Sequence, residues 1–156
     1  MWKILPRLYL GDREDSRDRA GLSKHGMTHV VNSARELPCC FPAEFHYLAL
    51  ALDDPDRRFV ERTRPALRFI EEGRNAGGVL VHRTAGVSRS AAVVLSYLCH
   101  LGRPLHAACE ELSRSVLTGV DESFLSQLAA AGGTAATPQQ LKALSLVLSG
   151  HLRPRA

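Results

Sequence analysis

The chemistry in this chain gathers in one stretch, Val79-Leu80-Val81-His82-Arg83-Thr84-Ala85-Gly86-Val87-Ser88-Arg89-Ser90. Val79 to Val81 is a short apolar run behind Asn75-Ala76-Gly77-Gly78, which reads as a turn into a buried strand. From Ala91 to Cys99 the residues are apolar on nearly every side, which reads as a buried helix. Strand, tight loop and helix start together build an anion site. The first amides of a helix have no internal partners, and the helix dipole places partial positive charge there. Gly86 lets the backbone turn sharply and approach a ligand closely. Arg89 adds a two-pronged guanidinium suited to a phosphate. The expected phosphate-binding set is therefore the loop Arg83, Thr84, Ala85, Gly86, Val87, Ser88 and Arg89. An anion such as phosphate or sulfate is the ligand it would take. An ordinary strand-to-helix turn is the plainer alternative.

His-X-X-Ala-Gly-X-Ser-Arg-Ser behind a Val-Leu-Val strand resembles the phosphate-binding loop of the dual-specificity protein phosphatases, within the cysteine-based tyrosine phosphatases. The resemblance extends to Leu5-Pro6-Arg7-Leu8-Tyr9-Leu10-Gly11, to Gly26-Met27-Thr28-His29-Val30-Val31-Asn32, and to Ser123-Phe124-Leu125-Ser126-Gln127-Leu128. Ser123 stands where the family has Gly, and Ser115-Val116 where it has Arg-Pro. The resemblance covers Ile4 to Leu128. It implies an α/β fold, a central sheet flanked by helices with the phosphate loop between a strand and a helix.

In that family the residue after the His is a Cys that attacks phosphorus as a thiolate. Here it is Arg83. A guanidinium stays protonated and offers no lone pair, so it cannot attack. Among the converging amides its charge would meet partial positive charges, so the side chain must swing out, distort the loop or share the pocket with an anion. The hydroxyls of Thr84 and Ser88 have high pKa values and no evident base to activate them. The resemblance also implies an Asp acid at a strand end. Asp54 takes that place counted from Leu50-Ala51-Leu52, and Asp53 counted back from Phe69-Ile70. Asp54 is preferred because insertions fall in loops more readily than in strands. A polar turn or helix cap built from the same acidic residues competes with that role. His82 in the family orients the loop and depresses the thiolate pKa, and Ser90 hydrogen-bonds the thiolate. With Arg83 in place these roles lose their object. His82 is then expected to be a structural hydrogen-bonding residue, and Ser90 a helix-start hydroxyl.

The leading expectation is a catalytically inactive pseudophosphatase that binds or scaffolds phosphorylated proteins. One alternative is a protein tyrosine, serine or threonine phosphatase in a form lacking its nucleophilic Cys. Another is an interaction module independent of the pocket.

The elements that must position these residues are legible to different degrees. Ile4 to Gly11 reads as one strand closed by a glycine turn, and Asp15 to Lys24 as a helix with a weak apolar face. Met27 to Ser33 is β-rich, Ala34 to Phe45 reads as a loop, and Phe45 to Leu52 as a strand ending in the acidic turn Asp53-Asp54-Pro55-Asp56. Phe59, Val60, Leu67, Phe69 and Ile70 fit a helix in which Pro65 predicts a kink or a late start, with Thr63 as cap. Leu105 to Leu112, and Asp121 to Leu128, carry apolar residues at helical spacing. The expected organisation is one phosphatase-like domain over 1–131, a linker at 132–137, an added helix at 138–150 with Leu141, Leu144, Val147 and Leu148 on one face, and a tail at 151–156.

Composition sets the class. At 45% apolar and 23% charged, a 156-residue chain reads as a soluble globular domain. A net charge of +4 without Lys/Arg runs supports anionic partners but not nucleic acid. No apolar stretch is long enough to span a membrane, and no signal peptide is read. Cys39, Cys40, Cys99 and Cys109 match no zinc spacing, so no metal or cofactor is expected. Their pattern fits a reducing compartment, the cytoplasm or nucleus. The oligomeric state is not legible.

Overall fold

The structure, a computed structural model, describes residues 1–53, 55–83 and 88–153. Among these residues twelve elements follow in chain order: β1 (Trp2–Leu5), β2 (Leu8–Gly11), α1 (Arg13–Arg17), α2 (Arg19–Lys24), β3 (Met27–Ala34), β4 (His46–Leu52), α3 (Phe59–Ala76), β5 (Gly78–His82), α4 (Ser88–His100), α5 (Leu105–Ser115), α6 (Glu122–Ala131) and α7 (Pro138–Leu148). The strands form one mixed sheet in the order β1-β2-β5-β3-β4. Among the described residues only the β1–β2 pair is antiparallel; β2, β5, β3 and β4 run parallel. The expected α/β sheet flanked by helices is present.

Every residue of β5 is buried, as a central parallel strand covered on both faces requires. Alternation sorts its neighbours. Val31, Val81, Leu8 and Leu10 join the larger core, with residues of α3 to α7. Val30 and Leu80 join the smaller one, with Leu22 of α2 and Phe45. Helix α4 is buried without interruption from Ser90 to Leu98, so the apolar run on all its sides is satisfied by protein on all sides.

Three sequence expectations change. The single N-terminal strand is a hairpin, because Pro6-Arg7 turns the chain and Arg7 takes φ 66°. The helix expected over Asp15–Lys24 is two short ones. Asp12 caps α1 with a capping box, and Asp18 ends it and caps α2 by accepting from the Gly21 amide. Helix α3 starts at Phe59 and runs through Pro65. Thr63 is no cap; its hydroxyl donates to the Phe59 and Val60 carbonyls. The start of α3 is held from elsewhere: the Phe59 amide donates to Gln127 Oε1, and Gln127 Nε2 donates to the Asp56 carbonyl.

Helix α7 packs against α5 and α6, with Val147 and Leu148 buried and Leu141 and Leu144 partly buried on the main core. Its start carries a Thr137–Gln140 capping box with Pro138 in the first turn.

Helix α3 lies on the sheet at Gly73, where an added Cβ would come 2.4 Å from Val79 Cγ2 and 2.8 Å from His29 Cβ. Alanine is the better helix former by about 1 kcal/mol. Contact that close outweighs it, because overpacking costs roughly 1–3 kcal/mol. Gly73→Ala is therefore expected to lower the urea midpoint. A midpoint at or above that of the parent would refute this packing of α3 on β3 and β5.

Candidate active site

Strand β5 ends in His82, and α4 begins at Ser88. Thr84, Ala85, Gly86 and Val87 of the expected phosphate loop, and the preferred acid Asp54, lie outside the described residues. What is described is the frame around them: His82, Arg83, Ser88, Arg89 and Ser90 on the β5–α4 connection, Asp53 and Asp56 on the β4–α3 connection, and Glu36 after β3.

Both His82 and Arg83 are buried, at 1% and 5% exposed. His82 takes part in the sheet beside Gly11 and Asn32. Neither of its ring nitrogens hydrogen-bonds to a described residue, so the expected structural hydrogen bond is not among those the described residues make. The buried Ser90 hydroxyl likewise has no partner among the described residues. It is Ser88 at the start of α4 whose hydroxyl is engaged, accepting the Asp121 amide at 2.8 Å. Asp121 in turn caps α6 through the Ser123 amide. Helices α4 and α6 are thus joined at their starts.

The guanidinium of Arg89 is only 14% exposed and is held by two neighbours. Nη2 donates to Glu36 Oε1 at 2.8 Å, and Nη1 donates to the Leu52 carbonyl at 2.9 Å and to Glu36 Oε2 at 3.4 Å. Leu52 ends β4 just after Ala51, which takes φ 50°, a conformation that costs a β-carbon residue about 1 kcal/mol or more. The Ala51 carbonyl accepts from Arg35. Two adjacent residues of the β3–β4 loop, Arg35 and Glu36, therefore grip the end of β4 and the start of α4. That loop is shaped by Asn32, whose amide donates to the Leu37 carbonyl and whose oxygen accepts the Ala34 amide. Sequence reading left Ala34 to Phe45 as a plain loop and gave Glu36 no role. A carboxylate that meets its cation 53 residues away has no local signal.

The acidic stretch divides by role. Asp53 is exposed and pairs with Arg35 at 3.3 Å. Asp56 is buried; it accepts the Asp53 and Arg58 amides and faces Arg62 at 3.5 Å. Asp56 is thus the turn-builder of the cluster.

Burial pushes the His82 imidazole down to about 4; the Arg83 backbone and the Asp15 and Asp12 carboxylates pull the other way. It is neutral near pH 7. An unfolded histidine protonates near 6.5 and the folded one near 4, so between those values the unfolded chain binds more protons. Stability then falls as pH drops through this window, by up to roughly 3 kcal/mol. Chemical denaturation of His82→Gln against the parent is expected to show a flatter decline between pH 6.5 and about 4. An unchanged slope would assign the acid sensitivity to other groups.

Against known proteins, residues 8–130 match the family model described as dual specificity phosphatase, catalytic domain. The chain is 39% identical over 98 residues to dual specificity protein phosphatase 22-B of Danio rerio, covering 62% of this chain and 53% of that protein. It thus spans about half the length of that relative. Among solved structures, the human tyrosine phosphatase-like serine/threonine/tyrosine-interacting protein superposes with a TM-score of 0.77 at 28% identity, covering 85% of this chain and 95% of that one. A mouse putative dual specificity phosphatase complexed with zinc tungstate gives 0.76 at 26%, covering 83% and 84%. With a buried β5 leading through His82 into α4 and Arg89, and with the family model spanning β2 to α6, the chain belongs to the dual specificity phosphatase catalytic-domain family.

Proposed function

We propose that this protein is a pseudophosphatase, which binds phosphorylated protein through the family's phosphate site and does not turn it over. The observation that carries this reading is Arg83, a buried guanidinium directly after His82, where the family resemblance places the nucleophile. Attack on phosphorus needs a lone pair that a protonated guanidinium lacks. Arg89, the cation that would hold the phosphoryl oxygens, is retained at the start of α4. A site with its anion holder and without its nucleophile suits capture. The solved neighbour described as an interacting protein and the one complexed with zinc tungstate support a family fold used for binding and for oxyanions. The pocket-independent reading through helix α7 has less surface to work with, since Val147 and Leu148 are buried within the chain.

A side-by-side assay of the parent and Arg83→Cys on an aryl phosphate and a phosphotyrosine peptide tests the catalytic half. A silent parent is expected. Parent turnover at rates ordinary for the family would overturn the reading. An active Arg83→Cys would show that only the nucleophile is missing. Titration calorimetry tests the binding half: the parent should prefer a phosphotyrosine peptide over its unphosphorylated form. Arg89→Ala should abolish that preference, a loss of tenfold or more on the scale of a charge-assisted bidentate contact, roughly 1.5–3 kcal/mol. Equal affinity for both peptides would sink the proposal.

A further inference from the structure

A guanidinium has five N–H donors in a fixed planar fork. In Arg89 three are committed: both of Nη1, to the Leu52 carbonyl and Glu36 Oε2, and one of Nη2, to Glu36 Oε1. Glu36 thereby takes the far end of the guanidinium in a two-oxygen contact. The remaining pair, Nε–H and the second hydrogen of Nη2, project in parallel from one edge. No described residue takes either. Two parallel donors spaced like the oxygens of a phosphoryl group are what an Arg–phosphate contact uses.

We infer that Glu36 is a positioning residue for the phosphate site, holding Arg89 by its far edge so that the Nε–Nη2 edge is set for an oxyanion; this rests on the binding function proposed above. Without the grip, a long side chain would have to lose its rotamer freedom at the moment of binding. The grip itself is built from distant parts of the chain. Asn32 shapes the loop that carries Glu36, and Arg35 beside it bonds the Ala51 carbonyl and pairs with Asp53. The left-handed turn at Ala51 precedes the Leu52 carbonyl that Arg89 meets.

The sign of the effect separates positioning from competition. A carboxylate beside an anion site repels the ligand, so if Glu36 merely competed for Arg89, removing it would strengthen binding. If it positions Arg89, removing it weakens binding in spite of the lost repulsion. Inorganic tungstate, titrated calorimetrically into the parent, Glu36→Gln and Glu36→Ala, gives the first readout. Glu36→Ala is expected to bind about tenfold more weakly, the scale of one charge-assisted hydrogen bond. Glu36→Gln, which keeps one acceptor oxygen, is expected to lose less. Equal or tighter binding by both variants overturns the inference.

The second readout needs no ligand. In protein labelled with ¹⁵N on arginine, the Arg89 Nε–H should be rigid in the parent and mobile in Glu36→Ala, with thermal unfolding little changed because Glu36 is half-exposed. An Arg89 Nε–H equally rigid in both overturns the inference by itself. A parent that binds no tungstate while its Arg89 loosens on loss of Glu36 would instead remove the proposed binding function and leave the grip in place.

Discussion

The burial of β5 and α4 in succession is the constraint on which the rest of the molecule depends. Both are largely apolar; β5 is buried at every residue and α4 from Ser90 to Leu98. A strand and a helix that must each be enclosed leave one outlet, the end of the sheet where β5 stops at His82 and α4 begins at Ser88. Everything chemical is then a matter of what the outlet carries. A helix start carries amides with no partner inside the helix, and partial positive charge. Arg89 brings a full charge, and Ser88 ties the same helix start to α6 through Asp121.

Two neighbouring loops close around that outlet, and both depend on contacts far apart in sequence. The β3–β4 loop reaches it through Arg35 and Glu36, and the β4–α3 connection through the Leu52 carbonyl. The start of α3 is in turn secured by Gln127 of α6. The ion pair between Arg89 and Glu36 is partly screened, since Glu36 is half-exposed, so its contribution to stability is small. Its larger effect is geometric: it spends one edge of a planar cation and leaves the other.

Against this frame the consequence of Arg83 follows from elementary chemistry. Covalent phosphoryl transfer needs a nucleophile, donors for the oxygens and an acid for the leaving group. On the reading proposed above, a cation where the nucleophile would stand removes the first requirement and leaves Arg89 to meet an oxyanion. Under that proposal catalysis and anion binding are separable, because they use different atoms.

The local half of this was legible in the residues. A Val-Leu-Val run, a glycine-containing loop and an apolar helix announce a strand, a turn and a buried helix, since burial pattern and turn chemistry act over a few neighbouring positions. The same stretch raised the expectation, carried into the proposal above, of Arg89 as an anion ligand and of Arg83 as unable to attack. Where local rules failed, another local interaction had overruled the period: Arg7 in a left-handed turn split the first strand, and Asp18, serving as cap, split the first helix. Pro65 did not break α3, because that helix is held on the sheet by Thr63, Ala66, Ile70 and Gly73 and anchored at its start by Gln127. What no local signal could announce was which residues meet across the fold: Glu36 with Arg89, Arg35 with the Ala51 carbonyl, Gln127 with Phe59, Ser88 with Asp121. By itself the sequence determined most of the elements and the chemical capacity of each side chain, because those depend on neighbours along the chain. Only the tertiary structure decided which edge of Arg89 is spent and which is left, because that depends on a carboxylate and a carbonyl brought in from other strands.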